Sequence, residues 1–212
     1  MRIDRAGYPF IAAGIVPAAL LAANRKYALA APFVALGAFM AYFFRDPERS
    51  VPQEPDLVVS PADGRVMSAG PADPRWAPQG SWKQITIFLS PLDVHINRSP
   101  VDGRVTRVDY RKGKFLPAHK PAANDNELNE VWMDHNGRTV VFRQVVGILA
   151  RRIVCRVREG EELDRGQRMG LMKFGSRMDV FLPTDAELRV SAGQTVVGGE
   201  TVLAVLRSVN VR

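Results

Sequence analysis

The segment GLMKFGSRMDVFLP (170–183) places a glycine directly before a serine, Gly175-Ser176, inside an apolar, strand-like stretch. Glycine reaches backbone conformations with positive φ and lets another atom approach its carbonyl closely. A serine hydroxyl next in sequence can attack that carbonyl where the turn is strained and the oxyanion is stabilised. The peptide would then become an ester, and β-elimination followed by hydrolysis would leave a pyruvoyl ketone at a new amino terminus. Taken alone, such a pair more commonly forms an ordinary turn.

His95, in the run SPLDVH (90–95), is the next residue that could do chemistry, because imidazole titrates near neutral pH and can carry a proton. An isolated histidine is more often a surface or core residue. The other two histidines, His119 and His135, are far from it in sequence, and no metal-ligand spacing appears. A single cysteine excludes both a disulfide and a CxxC zinc site. The sequence therefore predicts no metal.

The larger part of the chain reads as short Val/Ile/Leu runs separated by Gly, Pro, Asn or Asp turns, which indicates a mainly β fold. The segment VWMDHNGRTVV (131–141) predicts a hairpin with an Asn-Gly turn. The sequence contains two internal repeats, which we call echoes. One pairs PADGRV (61–66) with PVDGRV (100–105), and the longer one pairs residues 157–167 with residues 190–200. The longer echo is typical of flattened barrels that carry lipoyl or biotinyl groups. We therefore expect a compact barrel or sandwich of short strands with lipoyl/biotinyl-like hammerhead character.

That pattern leaves a non-enzymatic alternative open, a membrane-tethered lipoyl/biotinyl-like barrel that acts as a carrier or an adaptor. A carrier domain needs a modifiable lysine at a hairpin tip. Lys173 lies close to such a position, although Phe174, Gly175 and Ser176 follow it.

Residues 1–44 contain two uncharged apolar stretches, 6–23 and 27–44, with only Asn-Arg-Lys between them. Each is near the lower length limit for crossing about 30 Å of hydrocarbon. They predict a membrane-associated helical hairpin, which either spans the bilayer or lies in one leaflet. A secretory signal peptide and a pair of buried soluble helices are the alternatives.

Charge predicts which side of the cell membrane the rest of the chain occupies. Four basic residues flank the open end of the hairpin and two lie at its tip (Arg2, Arg5, Arg45 and Arg49 against Arg25 and Lys26). The positive-inside rule then predicts a domain on the cytoplasmic side. The charged, proline-containing segment 45–52 predicts a linker before a domain at 53–212. The net charge of +7 suits an anionic membrane surface, and the tryptophans are not interleaved with arginine as nucleic-acid binding would require.

Four segments, in this order, resemble the phosphatidylserine decarboxylase family in its short bacterial and archaeal branch. They are PADGRV (61–66), FLSPLDVHINRSPVDGRV (88–105), FRQVVGILARRIV (142–154) and MGLMKFGSRMDVFLP (169–183). The likeness begins at FFRDPERSVP (43–52) and runs to near the carboxyl terminus. Several separate motifs in the right order make the resemblance specific.

The resemblance implies a proenzyme that cleaves itself between Gly175 and Ser176. Residues 1–175 would become a larger β chain and residues 176–212 a small α chain, and the two would stay associated as a heterodimer. The cofactor would be the pyruvoyl group made from Ser176, with no metal and no external cofactor. A higher homo-oligomer is left open.

The implied activity is a pyruvoyl-dependent carboxy-lyase of phospholipid biosynthesis, which converts phosphatidylserine to phosphatidylethanolamine and CO₂ through a Schiff base. His95 matches the family's histidine beside the substrate, which makes it the expected proton donor. Asp63 matches the acid of the PADG motif and serves either in a proton relay or in an Asp-Gly turn. Arg98 occupies the position of a second family histidine. The base that activates Ser176 therefore stays open.

Overall fold

The computed structural model describes residues 2–148, 152–173 and 175–206. The chain divides into two compact units, Met1–Glu48 and Arg49–Arg212. About 40% of it is strand and 20% helix, so the prediction of a mainly β fold with an apolar helical hairpin in front of it is confirmed.

The first unit is the hairpin. Its elements are β1 (Arg2–Ile3), a 3-10 helix (Arg5–Gly7), α1 (Tyr8–Ala23), α2 (Tyr27–Phe43) and β2 (Arg45–Asp46). The strand β1 pairs antiparallel with β2, so the first two residues of the predicted linker belong to this unit. The helices pack closely, because a side chain on Gly14 would begin 2.5 Å from the backbone nitrogen of Gly37.

Both helices expose apolar side chains. The stretch Arg5–Ala23 has 19 residues, and within the described residues it is the one helix long and apolar enough, by length and composition, to cross a membrane. Only 17% of its most apolar 18-residue stretch is buried, which argues against the core helix of a soluble protein. The exposed large side chains of the two helices include Ile15, Val16, Leu20, Leu29, Phe33, Val34 and Leu36.

The second unit is built from short strands. They are β3 (Leu57–Val59), β4 (Gly64–Pro71), β5 (Trp82–Leu89), β6 (Ile96–Arg98), β7 (Gly103–Arg111), β8 (Leu128–His135), β9 (Arg138–Val146), β10 (Ile153–Cys155), β11 (Glu162–Leu163), β12 (Arg168–Met172), β13 (Ser176–Pro183), β14 (Glu187–Leu188), β15 (Thr195–Val196) and β16 (Val202–Val205). A 3-10 helix, Pro121–Asp125, precedes β8.

Eight of these strands form one antiparallel sheet in the order β11-β7-β8-β9-β13-β5-β4-β15, which curls into a half-barrel. Two three-stranded sheets, β10-β12-β6 and β14-β16-β3, complete the unit. The predicted β-hairpin at 131–141 is confirmed, since β8 and β9 pair antiparallel across Asn136-Gly137. The core lies on one face of the large sheet, where Ile85, Phe142 and Val180 are fully buried.

The internal sequence echoes occupy the two edges of the large sheet. The strand β11, in one copy of the longer echo, pairs with β7 at Gly103, and β15, in the other copy, pairs with β4 at Gly64. Ser60 and Ser99, just before the two Asp-Gly turns, each donate through Oγ to a carbonyl two residues on, at 2.6 Å. The echoes are thus matching edges of one sheet, and the predicted lipoyl-like character is not confirmed.

Lys173 does not lie at a hairpin tip. It follows β12, which belongs to a three-stranded sheet, and precedes β13, which belongs to the eight-stranded sheet. The lysine therefore sits in a connection between two sheets, which does not support the carrier alternative.

Phe142→Ala should destabilise the second unit, because this ring is fully buried in the core on β9. Truncating a buried phenylalanine typically costs about 3–5 kcal/mol of unfolding free energy. Urea unfolding in detergent, followed by tryptophan fluorescence, measures the loss. Thr139→Ala, at an exposed position of the same strand, is the control. Equal midpoints for the two variants would contradict the assigned core.

Candidate active site

Ser176 is the first residue of β13, a central strand of the large sheet. It pairs with Leu89 of β5 on one side and with Val146 of β9 on the other. Because side chains alternate along a strand, Ser176 shares a face with Met178 and Val180, which lie in the core. The hydroxyl is therefore held inside the unit by strands on both sides.

The Ser176 side chain is fully buried, and within the described part of the chain its Oγ has no hydrogen-bond partner. Leaving a buried polar group unpaired costs about 1–3 kcal/mol, and native structures seldom do so without a reason. An unpaired hydroxyl at the start of a fixed strand is suited to act as a nucleophile toward the adjoining peptide.

Gly175 turns the chain immediately before this strand. Its φ of +69° lies in the left-handed region, which favours glycine. Its carbonyl group fits against Gly147, where an added Cβ would lie 2.2 Å from the carbonyl oxygen and 3.2 Å from the carbonyl carbon. Gly147 follows β9 directly, and its missing side chain makes the room in which the carbonyl sits.

His95 contacts Gly175 at its backbone N–H, one peptide before the Gly175-Ser176 bond. Its Nε2 accepts a hydrogen bond from the Gly175 N–H at 3.3 Å, and its Nδ1 lies 3.0 Å from the carbonyl oxygen of Asp93. A carbonyl can only accept, so Nδ1 carries the hydrogen and the ring is the neutral tautomer. The side chain is 1% exposed. The structure thus brings His95, Gly175 and Ser176 together.

A short turn and a strand pairing bring the histidine to this position. In the turn, the Ser90 N–H donates to Asp93 Oδ2 at 2.7 Å, and the Asp93 N–H donates to the Ser90 carbonyl at 2.9 Å. The turn connects β5 to β6, and β6 pairs with β12. The Met172 N–H also donates to the His95 carbonyl at 3.3 Å. The chain that leads into Gly175 therefore runs beside His95.

Asp63 and Arg98 form hydrogen bonds away from the Gly175-Ser176 peptide. The Asp63 carboxylate accepts hydrogen bonds from Arg49 Nη2 at 2.7 and 2.9 Å and from the Gly198 N–H at 2.8 Å. Arg98, which is buried, donates through Nη1 to the Gly166 carbonyl at 2.9 Å. These bonds tie down the turns after β15 and β11 rather than the Gly175-Ser176 peptide.

Arg177 lies on the opposite face of β13 from Ser176, as the strand alternation requires. Its Nη2 donates to Asn124 Oδ1 at 2.7 Å and to Asp179 Oδ2 at 3.0 Å. The Asp179 carboxylate also accepts from Thr86 Oγ1 at 2.9 Å. This buried polar network fixes the outer face of the strand and does not reach toward the serine hydroxyl.

Gly147 is the site residue that sequence reasoning missed. It lies inside FRQVVGILARRIV (142–154), a segment that was informative as a whole, but nothing in the sequence shows that this glycine meets a carbonyl about 28 positions later. A glycine directly after a long apolar strand was the available signal. The described part of the chain contains no group of three or more side chains that could hold a metal ion.

Comparison with known proteins adds an independent observation. The family model described as phosphatidylserine decarboxylase matches residues 36–204. The phosphatidylserine decarboxylase proenzymes of Burkholderia multivorans and Burkholderia cenocepacia are 44% identical over 206 residues, and that of Burkholderia vietnamiensis is 43% identical. Each alignment covers 96% of this chain and 96% of the relative. The chain therefore belongs to the phosphatidylserine decarboxylase family.

Proposed function

We propose that this chain is a proenzyme that cleaves itself between Gly175 and Ser176 and then decarboxylates phosphatidylserine to phosphatidylethanolamine and CO₂. The proposal is carried by the Gly175-Ser176 pair: within the described residues the buried Ser176 hydroxyl has no hydrogen-bond partner, and a His95 ring nitrogen lies 3.3 Å from the backbone nitrogen of Gly175. The family membership gives the reaction class. A carrier or adaptor role has no comparable support, because Lys173 is not at a hairpin tip.

Self-cleavage uses only the chain and one water molecule. Ser176 Oγ attacks the Gly175 carbonyl carbon, the peptide nitrogen leaves as the amine of Ser176, and an ester joins the two residues. Loss of the Ser176 α-hydrogen and departure of the Gly175 carboxylate leave dehydroalanine. Its imine tautomer then exchanges ammonia for water, and the ketone of a pyruvoyl group remains at position 176.

The sheet supports this chemistry by fixing the nucleophile. The strands β5 and β9 hold β13 on both sides, so Ser176 cannot swing away from the preceding carbonyl. Gly147 lets that carbonyl take its position. Holding reacting groups in place in this way can replace a large part of the activation barrier.

The residues around position 176 suit a pyruvoyl group, since its precursor hydroxyl is buried, has no hydrogen-bond partner in the described part of the chain and belongs to a residue paired with Leu89 and Val146. That group supplies a ketone that takes up the substrate amine and accepts the electron pair left when CO₂ departs. Cleavage makes Gly175 a chain end, and a shift of this end away from His95 would leave Nε2 open to take up a proton. His95 then delivers this proton to the substrate carbon that has lost CO₂.

The two products of cleavage are expected to stay together as a heterodimer. The α chain would begin with β13, which lies between β5 and β9 of the β chain. Its strand β15 pairs with β4, and its strand β16 pairs with β3. The α chain therefore contributes strands to two sheets, and separating the chains would require both sheets to come apart.

The hairpin fits a substrate that resides in a membrane. Its helices carry exposed apolar side chains, and basic residues are more numerous at its open end than at its tip. By the positive-inside rule, the catalytic unit faces the cytoplasm. An anionic leaflet there matches the net charge of +7.

Ser176→Ala should yield a single full-length chain with no decarboxylase activity, because no hydroxyl can attack the Gly175 carbonyl. A denaturing gel and the release of CO₂ from phosphatidylserine measure the two effects. Ser176→Thr keeps a hydroxyl and is the matched variant, for which slow cleavage is expected. Recovery of two fragments from Ser176→Ala would defeat the assignment of the nucleophile.

His95→Gln should separate cleavage from catalysis. A glutamine carbonyl can still accept from the Gly175 N–H, but it cannot carry a titrating proton. We expect two-chain protein whose kcat per cleaved molecule falls about 10²–10⁴-fold, the usual contribution of a general acid. His119→Gln, at an exposed histidine, is the control. Unchanged kcat in cleaved His95→Gln protein would remove the histidine from the proton transfer.

Gly147→Ala should slow self-cleavage, because its Cβ would collide with the Gly175 carbonyl oxygen. Displacing a reacting group by about 1 Å can cost on the order of 10²-fold in rate. The rate is read as the conversion of full-length chain to fragments after synthesis. Thr139→Ala, on the same strand, is the control, and urea unfolding reports whether each variant folds. Cleavage at the normal rate in folded Gly147→Ala would show that the carbonyl position is not critical.

A further inference from the structure

The second unit exposes three large apolar side chains near the Gly175-Ser176 peptide. Leu92 is 62% exposed, Ile148 is 51% exposed and Phe115 is 37% exposed. Side chains of this size gain from leaving water, so a group of them beside one site marks a contact surface.

Leu92 and Ile148 are tied to the peptide through their chain neighbours. Leu92 follows Pro91, whose Cγ lies 4.0 Å from where a side chain on Gly175 would begin. Ile148 follows Gly147, which contacts the Gly175 carbonyl. Both exposed side chains are therefore one residue away from a residue that meets Gly175.

A buried asparagine holds the segment that carries Phe115 beside Val146. Asn126 Nδ2 donates to the carbonyls of Leu116 at 2.7 Å and Val146 at 2.8 Å, and its Oδ1 accepts from the Leu116 N–H at 2.9 Å. Asn126 is 2% exposed. Val146 is the residue paired with Ser176, so the segment that carries Phe115 is fixed beside the scissile peptide.

The segment around Phe115 is strongly basic. Residues 111–120 read RKGKFLPAHK, with four basic residues and no acidic one. All four, Arg111, Lys112, Lys114 and Lys120, are exposed. Two carboxylates adjoin this segment. That of Asp125 lies 3.1 Å from Lys114 in a solvent-exposed pair, and that of Glu127 interacts with Tyr110, so the four basic side chains keep an excess of positive charge. We define the rim as Leu92, Phe115, Ile148 and these four basic residues.

We infer that the rim is a lipid-binding surface of the catalytic unit, and that it docks on an anionic bilayer leaflet. Apolar side chains enter the boundary between headgroups and acyl chains, while lysines and arginines beside them meet the anionic headgroups. The occupant follows from this charge complementarity and from the position of the rim at the scissile peptide. Such a surface would let a lipid headgroup reach the Gly175-Ser176 site while the lipid stays in the bilayer, and this purpose rests on the proposed function. The binding of the rim to the bilayer does not rest on it.

A fluorescent probe at position 115 tests the inference in the full chain. Cys155, the single cysteine, is replaced by serine, and an environment-sensitive fluorophore is attached to Phe115→Cys. Thr139→Cys is the control; it is exposed on β9, seven positions before Val146 and thus roughly 23 Å along the strand. The labelled chains are reconstituted into vesicles of phosphatidylglycerol and phosphatidylcholine, and nitroxide lipids report contact with acyl chains.

We expect a blue shift and nitroxide quenching at position 115 and neither at position 139. Replacing Lys112, Lys114 and Lys120 by glutamate should lower the partitioning of the rim into the bilayer by about 10²-fold or more, since each of the three basic residues near an anionic surface contributes roughly five-fold. Equal, water-like signals at both positions in vesicle-bound protein would overturn the inference. A blue shift without vesicles that grows with protein concentration would also overturn it, and would indicate a second copy as the occupant.

The same measurement on the Ser176→Ala chain separates this inference from the proposed function. Insertion at position 115 in that chain supports the rim whether or not wild-type protein releases CO₂. Loss of insertion in wild type and Ser176→Ala alike, with decarboxylation retained in wild type, rejects the rim and leaves the proposed chemistry standing.

Discussion

The pairing of β13 with strands on both sides is the constraint on which the rest of this structure depends. Because β5 and β9 hold this strand from its first residue, the Ser176 hydroxyl has a fixed position inside the core face. The turn at Gly175 and the clearance at Gly147 then determine where the neighbouring carbonyl lies. A hydroxyl on a surface loop would sample many orientations, whereas the Ser176 hydroxyl starts close to a single arrangement.

The alternation of side chains along β13 separates the Ser176 hydroxyl from the polar groups that hold the strand in place. Ser176 faces the core side, while Arg177 and Asp179 form a buried network on the other side with Asn124 and Thr86. This network fixes the strand after its first residue, so a break before Ser176 need not disturb the sheet. Strands of residues 176–212 pair with strands of residues 1–175, so the proposed cleavage would leave the two parts joined through both sheets.

The motifs in the sequence were enough to single out Gly175, Ser176 and His95, because these residues lie in short segments with specific composition; the structure brings them together, and their roles stay a prediction. The hairpin at Asn136-Gly137 and the apolar helices were predictable for a similar reason, since their signals are local. The arrangement of strands in the sheet was not predictable from local signals. The echoes suggested a lipoyl-like barrel, yet they form opposite edges of an eight-stranded sheet, and such pairings join residues far apart in sequence. The contact between Gly147 and the Gly175 carbonyl is long-range in the same sense.

The intact mass of the purified wild-type chain tests the central claim most directly. We predict two species under denaturing conditions, one ending at Gly175 and one beginning at position 176, the smaller lighter than its encoded sequence by the mass of one ammonia. Gentle conditions should keep the two together. A single continuous polypeptide that still converts phosphatidylserine to phosphatidylethanolamine would contradict the account, because such a chain would have no ketone to accept the electron pair released with CO₂.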